Sequence, residues 1–165
     1  MYIKECVLLF VIFGVVSIHS ECEHGWVQFK ENCLHFNGAR TNWNQAEIEC
    51  KKLHGWLASD DSQEKHDFLF TIANVLKTIR IYPFYVGATD FIFEGQYRWV
   101  ETGQYVGPFT KWDIGNPNGN WTDNCLMLNW TATEDELVWQ DERCSNSHYF
   151  ICEKLSNATT PVVGK

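Results

Sequence analysis

Residues 112–144 read WDIGNPNGNWTDNCLMLNWTATEDELVWQDERC. The segment opens on a polar loop in which Asp113, Asn116, Asn118, Asn120, Asp123 and Asn124 gather side-chain oxygens around Pro117. Cys125 closes that loop and begins an apolar run to Trp130, and the triplet Trp139-Gln140-Asp141 leads to a second cysteine, Cys144. Oxygen donors crowded onto a loop stiffened by proline suit a hard cation such as Ca²⁺.

The whole chain sets bounds on that reading. Its 165 residues fit one domain with room for a real core. A net charge of −8, with no run of five like charges, makes nucleic acid a poor partner, because phosphate contacts need clustered Lys and Arg. Eight Trp and eleven Phe are many for this length; most belong in a core and a few can serve binding. No Gly-x-Ser-x-Gly, His-Glu-x-x-His or phosphate loop is present, which argues against an enzyme. Acid pairs such as Asp60-Asp61 read more simply as helix-start charges.

The first twenty residues read as a secretory leader. Lys4 gives a basic start, Val7 to Val16 an apolar run, and Ser17 to Ser20 small residues near a cut. No later segment is apolar enough to span a membrane. Removing Cys6 with the leader turns seven cysteines into six: Cys22, Cys33, Cys50, Cys125, Cys144 and Cys152. An even set in a secreted chain reads as disulfides, and spacing alone leaves fifteen pairings open. Sequons at Asn120, Asn129 and Asn157 also fit an extracellular location. Residues 155–165 are expected to form a disordered tail, leaving 21–154 as the domain.

Local patterns predict an α+β fold. Residues 26–29 and 33–36 alternate around Lys30-Glu31-Asn32 as a hairpin does. Thr41 or Asn42 caps a first helix, with Gln45 completing a capping box if Asn42 is the cap. Trp43, Ala46, Cys50 and Leu53 share its inner face, and Gly55 stops it. A second helix is predicted from Asp61, with Glu64 as box partner and Phe68, Ile72, Val75 and Ile79 as the buried stripe. After Pro83 short apolar runs follow at 85–87, 97–100, 125–130, 137–139 and 149–152. Helices before strands imply α+β architecture with largely antiparallel pairing.

These landmarks, taken in order, resemble the C-type lectin-like domain. The likeness rests on Gly25-Trp26, the helix from Trp43 to Cys50, Leu57-Ala58-Ser59, Tyr85-Val86-Gly87 and Asn116-Pro117-Asn118. It continues through Trp139-Gln140-Asp141 and ends at Tyr149-Phe150-Ile151-Cys152-Glu153. It covers about Cys22 to Glu153 and is similar in particular to small secreted invertebrate members of the perlucin type. The resemblance implies the C-type lectin-like fold: two helices, antiparallel sheets, a long Ca²⁺-binding loop region and the three disulfides of the long form. These would pair Cys22 with Cys33, Cys50 with Cys152, and Cys125 with Cys144.

The resemblance also implies a ligand set. Asn116, Asn118, Asp123, Gln140 and Asp141 would hold Ca²⁺, with Pro117 in the cis form. The oxygens of Asn116, Asn118, Asp123 and Gln140 would also bond two neighbouring sugar hydroxyls, and Trp121 could stack on an apolar sugar face. A second, auxiliary Ca²⁺ site would use Asp90 and Glu94, sharing Asp123 and including Asn124. The chain departs from the family pattern at Asn116, where Glu or Gln is usual, and at Gln140, where Asn is usual. Gly119 and Asn124 stand where further acids are usual, so Asp90 and Glu94 also read as plain solvated loop charges. Asn116-Pro117-Asn118 matches neither the mannose-type Glu-Pro-Asn nor the galactose-type Gln-Pro-Asp triplet. The expected function is secreted, Ca²⁺-dependent binding of microbial or host glycans in innate recognition, with self-association giving multivalency. The alternative is a matrix or protein-binding domain on the same scaffold, facing a mineral or protein surface.

Overall fold

The computed structural model describes residues 20–158. The expected leader falls, except for Ser20, outside the described residues, as does the tail from 159 onward. The elements are β1 (Ser20–Glu21), β2 (Val27–Phe29), β3 (Asn32–Thr41), α1 (Trp43–Lys52), β4 (Trp56–Leu57), α2 (Gln63–Lys77), β5 (Phe84–Thr89), β6 (Arg98–Trp99), β7 (Cys125–Trp130), β8 (Leu137–Glu142), β9 (His148–Leu155) and β10 (Asn157–Ala158). The boundary expected at 154 therefore lies inside secondary structure: Leu155 ends β9, and β10 pairs with β1.

One eight-stranded sheet runs in the order β2-β3-β9-β5-β7-β8, with β4 added on β9 and β6 on β5. Every pairing in it is antiparallel except β5 with β9, which is parallel, so the sheet is mixed rather than antiparallel throughout. The central strands alternate between two cores. Phe84, Val86 and Ala88 of β5, with Leu126, Leu128 and Trp130 of β7, face a large cluster that includes Leu69 and Ala73 of α2. Tyr85, Cys125 and Met127 face a smaller cluster with Trp43, Ala46 and Cys50 of α1. A strand buried on both faces loses the apolar-polar alternation, which is why these segments read as continuous apolar runs.

Two glycines allow close approach. A Cβ on Gly55 would lie 2.3 Å from the Glu153 carbonyl oxygen, and one on Gly87 2.4 Å from that of Leu57. Gly55 therefore lets the chain after α1 pass against β9, beyond simply ending the helix. Asn42 caps α1 by accepting from the Gln45 N–H at 2.9 Å. Gln45 turns its own amide to Glu49 rather than back to the cap, so only half of the expected box forms. Leu53, predicted inward, is the C-cap and is exposed.

The predicted stripe on α2 was out of phase. Ser62, not Asp61, caps the helix, its Oγ accepting from the Lys65 N–H at 3.3 Å. The buried face is Lys65, His66, Leu69 and Ala73, whereas Val75 and Ile79 are exposed and Phe68 and Ile72 only half-buried. The physical reason is partnering. The Lys65 ammonium is 2.7 Å from both carboxylate oxygens of Glu153. His66 Nδ1 lies 2.7 Å from Asp60 Oδ2, and its Nε2 3.1 Å from the Leu137 carbonyl. Paired polar groups can be buried, and a pattern that counts them as outward-facing rotates the helix wrongly.

Three disulfides close the structure: Cys22–Cys33, Cys50–Cys152 and Cys125–Cys144, with Cα–Cα separations of 5.6, 5.3 and 5.2 Å. They are the three pairings that the resemblance implied. The second joins residues 102 apart in sequence and ties α1 to β9. In the chain-entropy model such a closure contributes about 4–5 kcal/mol.

Candidate functional site

The long excursion between β6 and β7 is rooted on β8. Trp139 N–H donates to the Lys111 carbonyl at 2.8 Å, and Asp113 N–H to the Trp139 carbonyl at 2.9 Å. Beneath this root Trp139 is fully buried, with Phe109, Trp112 and Trp99 rings edge-on to it at centroid distances of 5.6, 5.5 and 6.1 Å. Its indole N–H donates to Asp60 Oδ2 at 2.7 Å. The loop thus stands on a rigid aromatic base. The Asn116–Pro117 bond is cis, as expected.

Four of the five expected ligands come together. Asn118 N–H donates to Asp141 Oδ2 at 2.7 Å, and Asn116 Oδ1 accepts from the Asp141 N–H at 3.4 Å. Asp123 Oδ2 accepts from Asn118 Nδ2 at 3.5 Å and from Asn120 Nδ2 at 3.0 Å. Its other oxygen accepts from Thr122 Oγ1 at 2.9 Å and lies 3.4 Å from Arg143 Nε. Gln140 is not brought in. Its Oε1 accepts from Asn129 Nδ2 at 3.0 Å, and its Nε2 donates to Asp113 Oδ2 at 2.9 Å. The extra methylene that distinguishes Gln from Asn lets it reach these partners.

The expected auxiliary residues lie beside this group. Asp90 is buried, its Oδ2 accepts from the Gly95 N–H at 2.8 Å, and its own N–H donates to the Asn124 carbonyl at 3.3 Å. The Asn124 side chain donates to the Trp121 carbonyl at 3.0 Å. Tyr97 O–H donates to the Asp123 carbonyl at 3.0 Å, tying the two loops together.

Electrostatics mark the place as short of positive charge. Burial, then the charges of Asp123 and Asp90, push the Asp141 carboxyl above its ordinary range, against the opposing Asn118 N–H bond. Burial likewise raises Asp90, against the Gly95 N–H, its own N–H and the nearby Tyr97 hydroxyl. Glu94 is raised by partial desolvation and by the charges of Asp90, Asp141 and Asp123. Burial, with the same four carboxylates behind it, pushes the Tyr97 hydroxyl up as well. Two buried oxygens, Asp90 Oδ1 and Asp141 Oδ1, have no hydrogen-bond partner. A buried, unpaired carboxylate oxygen among like charges is costly, and a cation relieves both penalties. Among the described residues no three carboxylate, imidazole or thiolate side chains close around one point. A cation here therefore needs the amide oxygens of Asn116 and Asn118 as well as the acids, which is the donor mix that Ca²⁺ accepts.

Trp121 is exposed beside this group and shares a cleft with Asp90, Glu94 and Asn124. The sequons differ in setting. Asn120 is exposed but its amide nitrogen is bonded to Asp123, while Asn129 is half-buried with its amide nitrogen on Gln140. The side chain of Asn157 lies outside the description. Sequence reasoning did not assign Thr122, Asn120 and Arg143 as the partners of Asp123. The sequon Asn120-Trp121-Thr122 held the first two in view for another reason, and Arg143 carried no signal.

A model of the lectin C-type domain matches residues 39–154, more than half of the chain. Chicken (Gallus gallus) hepatic lectin is 32% identical over 130 residues, covering 78% of this chain and 58% of that protein, so this chain spans little more than half of its length. A perlucin-like protein of the mussel Mytilus galloprovincialis is 27% identical over 154 residues, covering 88% of this chain and 95% of that protein. Among solved structures, the C-type lectin domain of murine dendritic cell inhibitory receptor 2, in complex with N-glycan, superposes with a TM-score of 0.72. It is 25% identical, covering 82% of this chain and 99% of that one.

Proposed function

Because the chain belongs to the C-type lectin domain family, a family of binding domains rather than enzymes, we propose that it is a Ca²⁺-dependent carbohydrate-binding lectin acting outside the cell. The observation that carries this reading is the pair of buried, unpartnered oxygens on Asp90 and Asp141 within a group of four carboxylates. Asn116, Asn118, Asp123 and Asp141 would hold the ion, with Asp90, Glu94 and Asn124 beside them for an auxiliary one. When bound, Ca²⁺ neutralises the clustered acids and offers open coordination positions to vicinal sugar hydroxyls.

The chain's own groups do the reading. Asn118 and Asn116 amides each present a donor and an acceptor, whereas Asp123 only accepts, so a sugar is selected by the direction of its hydroxyl bonds. Trp121 offers an exposed aromatic face to an apolar sugar face. Trp139 anchors the root of the loop that carries these groups, through its hydrogen bonds with Lys111 and Asp113. Microbial or host glycans are the ligand class, innate recognition is the setting proposed for it, and the leader over residues 1–20 supports export. Among the described residues no helix is long and apolar enough to cross a membrane. Self-association of the lectin would multiply weak single-site affinity.

A glycan array with and without chelator tests the reading. Binding to mannose- or galactose-type glycans that vanishes with chelator supports it; binding to no glycan in millimolar Ca²⁺ rejects it. One observation favours a second reading, in which the same scaffold binds a protein or mineral surface without sugar: Asp123 already has Arg143, Asn120 and Thr122 as partners. In that case retention on such a surface persists in chelator.

A further inference from the structure

The helix α2 buries Lys65, His66, Leu69 and Ala73, and the apolar series Phe68, Ile72, Val75 and Ile79 is left on its other side. Val75 and Ile79 are each 65% exposed. Phe68 and Ile72 are half-buried, Phe68 with its ring 5.0 Å from that of Phe29. The Ile79 N–H donates to the Leu76 carbonyl at 3.1 Å and the Arg80 N–H to the Lys77 carbonyl at 2.9 Å, so the coil runs on past the helix through Arg80. One helix therefore carries two stripes, one facing the core and one facing water. Contiguous apolar surface left to water marks an interaction site.

The spacing of the outer stripe suggests what covers it. Its steps of four, three and four residues are those of a two-helix seam, where each apolar side chain enters a gap on a facing helix. Charge sets the direction. Asp67 stands at the N-terminal end of the stripe and Arg80 just past its C-terminal end, both exposed. An antiparallel second copy that sets Phe68 against Ile79 and Ile72 against Val75 also sets Asp67 against Arg80, once on each side of the two-fold axis. A parallel copy would set acid against acid. The stripe is thus complementary to itself, whereas an anionic membrane would repel a chain of net charge −8. Four side chains from each copy make a seam at the small end of specific interfaces, below about 1,200 Å² in total, so a weak dimer is expected.

We propose that Phe68, Ile72, Val75 and Ile79 of two copies pack as an antiparallel helix pair bracketed by Asp67–Arg80 ion pairs, and that the protein dimerises through this face. This rests on the self-association proposed above and gives it a surface. The test is sedimentation of the disulfide-bonded protein in chelator, from micromolar to submillimolar concentration, where neither ion nor glycan contributes. The expected result is a monomer–dimer equilibrium. Val75→Ser and Ile79→Ser, both at exposed positions, each weaken it about tenfold or more, since every change counts twice across the axis. Asp67→Arg and Arg80→Asp each set like charges opposite one another and weaken the dimer when alone. Arg80 has φ 60°, a conformation that Asp tolerates. Mixing the two charge variants restores association, because every facing pair is again opposite in sign. A mixture no more associated than its components overturns the antiparallel pairing. A dimer indifferent to all four changes overturns this face and leaves self-association standing. A protein monomeric throughout overturns both, and the sugar-binding reading is untouched.

Discussion

Glu153 and Asp141 are both carboxylates sealed into the fold, 2% and 8% exposed, yet their surroundings are opposite. Each oxygen of Glu153 accepts at least two hydrogen bonds: Oε1 from Asn32 Nδ2 and Lys65 Nζ, Oε2 from the Ser59 N–H and Lys65 Nζ. Asp141 has one oxygen bonded to the Asn118 N–H, the other bonded to nothing, and the charges of Asp123 and Asp90 nearby. Glu153 sits where β3, β4 and β9 meet the first turn of α2, next to the disulfide that joins Cys50 to Cys152. Asp141 sits under the long loop. A buried charge that is completely paired holds a fold together. A buried charge left half-paired among its own kind is costly, and under the proposed function a cation would offset that cost.

The scaffold side of this contrast gives the largest effects. Replacing Cys50 and Cys152 together with Ala lowers stability by about 4–5 kcal/mol, measured by denaturant unfolding under non-reducing conditions. A loss under about 1 kcal/mol would show that the sheet pairing of β3 with β9, rather than the bridge, holds the ends together. Lys65→Met leaves the Glu153 carboxylate buried without its cation and costs about 3–5 kcal/mol. The double change Lys65→Met with Glu153→Leu recovers most of that loss, because two apolar groups need no partner. Failure of the second change to rescue the first would mean that the Asn32 and Ser59 bonds to Glu153 matter more than its ion pair.

On the loop side the sign reverses. Asp141→Asn removes one of several repelling charges, so the Ca²⁺-free protein gains thermal stability while stabilisation by Ca²⁺ disappears. At several millimolar Ca²⁺ that stabilisation is roughly 1–2 kcal/mol for an extracellular-type affinity. Acidity sharpens the test. Asp90, Glu94 and Asp141 titrate above their ordinary values of 3.8, 4.5 and 3.8. Each therefore binds its proton more tightly folded than unfolded. The stability it contributes is present below the ordinary value and is lost as pH rises through the raised one. The Ca²⁺-free loop weakens as pH rises above the ordinary carboxylate range, and Ca²⁺ restores what is lost. The difference in Tm with and without Ca²⁺ should be full near neutrality and shrink to nothing as pH falls through the raised values. A difference that stays constant with pH removes these acids from the cation site.

Much of the scaffold was legible because its signals are local and redundant. Asn42 as a helix cap, the hairpin at Lys30-Glu31, and the apolar runs of β5 and β7 each stand on a few adjacent residues. The disulfide pairing was not legible from spacing and came only with the family resemblance, since Cys50 and Cys152 meet through tertiary structure. The phase of α2 was misread because Lys65 and His66 look like surface residues until Glu153 and Asp60, far off or across a turn, are seen to pair with them. The loop's richness in side-chain oxygens was legible as composition. What composition could not convey is how many of those donors are free: Asp123 shares its oxygens with Arg143, and both amide atoms of Gln140 are bonded elsewhere.

Gln140 marks where the two regions touch, and it gives the smallest predicted effect. It stands on β8 one residue before Asp141, but its amide links Asn129 of β7 to Asp113 at the loop root. That makes it a fastening of the loop to the sheet. Gln140→Ala removes two hydrogen bonds at a half-buried position and should cost about 1 kcal/mol of stability. Affinity for Ca²⁺, measured by calorimetric titration, should stay within about twofold, since 0.4 kcal/mol or so is all that a slightly looser loop root is expected to transmit. A tenfold loss of affinity without loss of stability would give the opposite answer: Gln140 leaves Asn129 and Asp113 when the ion binds and joins Asp141 as a ligand.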